Sequence, residues 1–144
     1  RYIDYKPRTA AEVSKRLEKA ASPEAVIEQV LNRLKDSGLI DDRRFAVAWV
    51  ENRQHSHPRS RRLLSLELRN KGIGRDEIET ALGTAGDDEE LAFTLARQKM
   101  DRFRNLEMAD FRARLSGFLA RRGFSYDVIN QVVKRLWSEI SSKN

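Results

Sequence analysis

The chain has 144 residues, 40% of them hydrophobic and 35% charged, with a net charge of +6. That length suits one ordinary domain or a few small helical modules under a heavily charged surface. Cysteine is absent, which excludes disulfides and thiolate metal sites and fits a reducing compartment. No apolar run approaches the roughly 20 residues that cross a bilayer, so a soluble, cytoplasmic protein is expected.

In chain order, residues 1–6 read as the tail of a helix that ends near Tyr5, and a further segment is expected to precede Arg1. Thr9-Ala10-Ala11-Glu12 is a capping box opening a helix that carries Val13 and Leu17. After the turn Ala20-Ala21-Ser22, Ser22-Pro23-Glu24 reads as a helix start with proline in its first turn. Ile27, Val30, Leu31 and Leu34 then follow the spacing of one helix face. Asp41-Asp42 opens a helix through Phe45, Ala46 and Trp49. The next helix carries Leu64 and Leu68 and must stop at Gly72, a position that favours a left-handed residue. A short helix over Arg75–Leu82 precedes the acids Asp87, Asp88, Glu89 and Glu90, which open another through Leu91, Ala92 and Leu95. Leu115 and Leu119 mark a helix ending at Gly123, and Ile129, Val132, Val133 and Leu136 mark the last. No alternating pattern long enough for a sheet occurs.

These elements repeat. A shift of 51 residues places Val13 on Leu64 and Leu115, Leu17 on Leu68 and Leu119, and Ile27 on Ile78 and Ile129. The same shift brings Val30 onto Ala81 and Val132, and Lys71-Gly72-Ile73 onto Arg122-Gly123-Phe124. The helix beginning at Asp41 instead matches Asp87 onward at a shift of 46, with Trp49 on Leu95, so five extra residues fall within residues 100–110. Self-similarity at a fixed period marks a repeat architecture. The fold expected is all-α: three tandem three-helix repeats, residues 1–40, 41–86 and 87–144, in an elongated, curved array.

Charge is striped along the chain. Residues 43–75 hold nine basic and two acidic side chains, 76–90 hold seven acids and no base, and 97–122 hold eight bases against three acids. Such a field suits a polyanion or an acidic protein surface, the plainer alternative being solvated helix faces. The repeat register adds one signal: Arg61 falls on Arg112 and Lys71 on Arg122, where the first copy has Ala10 and Ala20. Stacked copies would turn these pairs into a basic ridge flanked by Arg53, Arg59, Arg62, Arg69, Arg102, Arg104 and Arg121. Arginine suits phosphate and carboxylate because its planar fork donates two bonds at once.

Catalysis finds little support. The paired acids occur once per repeat at helix starts, where carboxylates cap N–H groups and complement the dipole, whereas metal-assisted hydrolysis needs convergent ligands. His55 and His57 have no thiolate to complete a closed metal site and read as loop residues. Trp49, Trp137, Phe45 and Phe124 fall on apolar faces and read as core rather than base-stacking platforms. Tyr2, Tyr5 and Tyr126 have polar neighbours. No catalytic residue, metal ligand or cofactor is assigned.

Gly38-Leu39-Ile40-Asp41-Asp42-Arg43-Arg44-Phe45-Ala46, followed by Leu68-Arg69-Asn70-Lys71-Gly72-Ile73 on this repeat, resembles the bacterial RecX family, and the resemblance runs from about Lys6 to Leu136. It implies a non-catalytic modulator, usually an inhibitor, of the RecA recombinase in DNA recombination, repair and the SOS response. Such proteins bind RecA filaments on single-stranded DNA, lie in the helical groove, and depress ATP hydrolysis and strand exchange. A monomer is expected, with RecA filaments and single-stranded DNA as partners and no membrane. The alternative is a stand-alone DNA binder, since a three-helix unit with a tight turn resembles a helix-turn-helix. Against sequence-specific reading, Arg75–Leu82 and residues 126–133 carry few side chains suited to base edges.

Overall fold

A computed structural model of the chain describes residues 7–83, 85–103 and 105–143. Residues 1–6, including Tyr2 and Tyr5 and the expected end of an earlier helix, lie outside the described residues, as does Arg104. The described residues form eight α-helices and no strand: α1 (Ala10–Lys19), α2 (Glu24–Asp36), α3 (Asp42–Ser56), α4 (Arg61–Asn70), α5 (Arg75–Leu82), α6 (Asp88–Phe103), α7 (Met108–Arg121) and α8 (Tyr126–Lys143). None of them is long and apolar enough to cross a membrane.

The helix following each repeat's middle turn is reached by the same geometry. Ala21 N–H donates to Glu18 O (2.9 Å) and Ser22 N–H to Leu17 O (3.1 Å). In the second repeat Gly72 donates to Arg69 O and Ile73 to Leu68 O; in the third Gly123 donates to Ala120 O and Phe124 to Leu119 O. All three turns place one residue in the left-handed region, with φ of 59° at Ala21, 81° at Gly72 and 88° at Gly123. The first repeat therefore makes the turn without glycine, holding an alanine where L-residues lose roughly 1–2 kcal/mol. Pro23 stands one residue earlier than expected: it is the N-cap of α2, extended at ψ 148°, and not a member of the first turn.

The five additional residues of the third repeat are absorbed as helix. α6 has 16 residues against 15 in α3, and α7 has 14 against 10 in α4. The extra turn of α7 carries Phe111, which is fully buried and lies 5.2 Å, centroid to centroid, from Trp137.

Contacts divide the chain into two compact units, Arg1–Asn52 with Ser65–Thr84, and Arg53–Leu64 with Ala85–Asn144; the division falls inside α3 and inside α4. The second unit has a continuous core of α6, α7 and α8 side chains, in which Leu115, Leu119, Val133 and Leu136 are inaccessible to solvent. The 51-residue register selected Leu115 and Leu119, and helix-face spacing selected Val133 and Leu136, because one helix face must be apolar wherever it meets its neighbours. The first unit buries Val13, Ile27, Ala46, Val50, Leu68, Ile73, Ile78 and Ala81. Its third-helix face in the first repeat is less covered, with Val30, Leu31 and Leu34 only half-buried. Trp49 stacks on Phe45 at 5.9 Å and donates its indole N–H to Glu67.

Candidate partner-binding surface

Three of the basic residues singled out by register, Arg61, Lys71 and Arg122, lie in a junction that occurs once in each unit. In the first unit, Thr9 caps α1: its Oγ1 accepts from Glu12 N–H (3.1 Å), and Glu12 Oε1 accepts from Thr9 N–H (3.1 Å). The same hydroxyl donates to Lys71 O (2.8 Å), tying the start of α1 to the turn after α4. Ala10 N–H donates to Asp42 Oδ1 (2.9 Å), so the first turn of α3 caps α1 as well. A side chain at Gly72 would collide with Ala11 Cβ.

The second unit reproduces this junction one period later. Ser60 Oγ accepts from Leu63 N–H (3.1 Å), and Ser60 N–H donates to Arg122 O (2.9 Å). Arg61 N–H donates to Asp88 Oδ1 (3.0 Å). A Cβ at Gly123 would stand 2.6 Å from Ser60 Oγ and 2.7 Å from Leu63 Cβ. Thr9 and Ser60, at 0% and 1% exposure, are the buried polar residues of the two junctions. Burial of a hydroxyl is tolerated only where it is hydrogen-bonded.

This geometry refines the reading of the paired acids. Asp41 and Asp87 cap their own helices, accepting from Arg44 N–H (3.1 Å) and Glu89 N–H (3.4 Å). Asp42 and Asp88 instead cap the second helix of the preceding repeat. Capping is the role in both cases, but half of it crosses a repeat boundary.

The four basic residues in shared register are half-buried and have partners within the chain. Lys71 Nζ lies 3.4 Å from Glu12 Oε2 and 5.5 Å from the Trp49 ring centroid. Arg122 donates to Pro58 O (2.9 Å) and lies 5.2 Å from the Phe118 ring. Arg61 donates to Ala85 O (3.3 Å), and Arg112 to Asn130 Oδ1 (3.4 Å). The shared register thus has a structural cause: Lys71 and Arg122 occupy equivalent places in equivalent junctions. Arg59 is half-buried and donates to His57 O (2.8 Å), and Arg53 is also half-buried. Arg62, Arg69, Arg102 and Arg121 are exposed, which makes them the candidates with the freest access to a partner.

Three further cations escaped the reading of the sequence. Arg97 and Arg135 lie 4.8 and 3.8 Å from the Phe93 ring, and Arg97 also pairs with Glu139 at 3.1 Å. Lys99 shares the Phe118 ring with Arg122. Arg135 and Lys99 meet rings on other helices, which periodicity alone does not reveal, whereas Phe93 and Arg97 stand four residues apart on α6. His57 follows α3 as expected of a loop residue, but His55 belongs to the last turn of α3; both are exposed, and no group of three or more metal-ligating side chains occurs among the described residues. Tyr126 is exposed at the start of α8, whereas Phe124 is core.

Three-helix units stacked through a repeated capping junction define a tandem helical-repeat protein. Family models for the first, second and third three-helix domains of RecX match residues 1–34, 41–82 and 87–133. The regulatory protein RecX of Streptomyces coelicolor is 38% identical over 135 residues, covering 92% of this chain and 72% of that protein. Its counterpart from Mycobacterium ulcerans is 41% identical over 136 residues, covering 92% and 79%. The crystal structure of RecX from Lactobacillus salivarius superimposes with a TM-score of 0.80 at 28% identity, over 94% of this chain and 89% of that one. A second crystal structure of a regulatory protein RecX gives 0.75 at 29% identity, over 91% and 67%. The chain belongs to the RecX family.

Proposed function

We propose that this chain is a non-catalytic modulator, acting as an inhibitor, of the RecA recombinase. It binds RecA filaments on single-stranded DNA in the helical groove and depresses ATP hydrolysis and strand exchange, within DNA recombination, repair and the SOS response in the cytoplasm. The observation that carries the reading is the succession of all three RecX domains along one chain whose relatives bear the name regulatory protein RecX. Exposed arginines on α4, α6 and α7 supply charge suited to an acidic groove or a phosphodiester strand. Mechanically, a monomer that binds one filament geometry better than another shifts the filament toward it by the difference in affinity.

The test is ATP hydrolysis by RecA on single-stranded DNA, titrated with this protein below one molecule per RecA protomer. Hydrolysis falls with added protein if the reading is right. Unchanged hydrolysis, combined with tight binding to naked duplex, would replace it with the stand-alone DNA binder.

A further inference from the structure

Beside Asp42, which caps α1, the second repeat opens on two side chains that neither junction uses. Arg43 and Arg44 stand exposed in the first turn of α3. A helix start presents free N–H groups and the positive end of the dipole, so cations are disfavoured there. The third repeat obeys that rule at the same register, with Glu89 and Glu90. Asp41 accepts from Arg44 N–H and Asp42 from Ala10 N–H, so both carboxylates serve helix starts, and neither pairs with the guanidinium of Arg43 or Arg44. Among the described residues neither guanidinium has a hydrogen bond, an ion pair or a ring contact.

Leu39 lies four residues before Arg43 and is 55% exposed. Its backbone is fixed, since Leu39 N–H donates to Leu34 O (2.9 Å) in the turn that ends α2. The third repeat has Ala85 at this position. A lone exposed leucine is ordinary. A fixed leucine followed by two unpaired arginines, all three departing from a better-behaved copy of the same unit, is a place where local stability has been given up. Such departures gather at functional surfaces.

We infer that Leu39, Arg43 and Arg44 form a docking surface for an acidic protein face, one whose carboxylates surround an apolar spot. Arginine forks pair with carboxylates, and the leucine gains by leaving water. A nucleic-acid strand would reward the arginines but not the leucine, because bases stack on aromatic side chains. The inference rests on the functional reading above in taking the filament's protein face as the partner.

The test measures affinity for RecA filaments on single-stranded DNA, and for the same strand naked, using the full chain and two variants. Leu39→Ala and the double variant Arg43→Glu with Arg44→Glu install the third repeat's own residues. The double variant also suits the helix dipole, so thermal melting should show it folded. Each variant is expected to lose filament affinity on the order of tenfold, and Leu39→Ala to bind the naked strand as the parent does. Parental filament affinity in either variant overturns the inference, as does an equal loss on the naked strand for Leu39→Ala. A parent chain that fails to bind the filament sinks the functional reading itself, and the inference with it.

Discussion

Gly123 is drawn tightly into the second repeat junction, and Gly38 supplies its control. Both have positive φ, 88° and 78°, so alanine at either pays the left-handed penalty of roughly 1–2 kcal/mol. At Gly38 a Cβ meets nothing within 4 Å, and that penalty is the whole cost. At Gly123 it also falls 2.6 Å from Ser60 Oγ and 2.7 Å from Leu63 Cβ. Relief requires the turn to move away from Ser60, which endangers the Ser60 N–H to Arg122 O bond at 2.9 Å. Overpacking costs about 1–3 kcal/mol, and a stranded buried polar group about 1–3 kcal/mol more. Gly123→Ala should therefore destabilise by at least about 2 kcal/mol beyond Gly38→Ala. Urea denaturation followed by helical circular dichroism gives both values. Equal costs for the two substitutions would refute the claim that the turn is clamped against the capping serine.

Ala21→Gly should stabilise the chain by roughly 0.5–1 kcal/mol, since glycine removes the left-handed strain at a cost in unfolded-state entropy; a lower melting temperature would contradict the turn geometry. Asp88→Ala, by removing the acceptor of Arg61 N–H, should cost about 1 kcal/mol, and Asp87→Ala a similar or smaller amount; both are read from denaturation midpoints. Phe111→Ala should cost about 3–5 kcal/mol, because the ring is fully buried against Trp137. Arg62→Glu with Arg121→Glu should weaken filament binding by about tenfold while helicity is unchanged. The same pair of reversals at Arg61 and Arg112 should weaken binding and also lower the melting temperature, because those side chains have internal acceptors.

The parts of the fold that depend on local periodicity were legible. Leu64, Leu68, Leu115 and Leu119 are fully buried where the 51-residue register put them, since a helix face repeats its apolar positions whatever it packs against. The junction was not legible, because its bonds span 62 residues from Thr9 to Lys71 and 32 from Ala10 to Asp42. A threonine at a helix start looks the same whether its hydroxyl serves one helix or two. For the same reason the shared register of Lys71 and Arg122 reads as a surface signal until Glu12 and Pro58 are seen beside them. Within the turn Ala20-Ala21-Ser22, the left-handed conformation of Ala21 was not legible, because the backbone of its neighbours, and not its own preference, dictates it.

The most direct test of the whole account compares the affinity of this chain for RecA filaments on single-stranded DNA with its affinity for the same strand without RecA, by fluorescence anisotropy at one salt concentration. The account predicts tighter binding to the filament, by tenfold or more on the scale expected when protein contacts add to charge. Equal or tighter binding to the naked strand would contradict it.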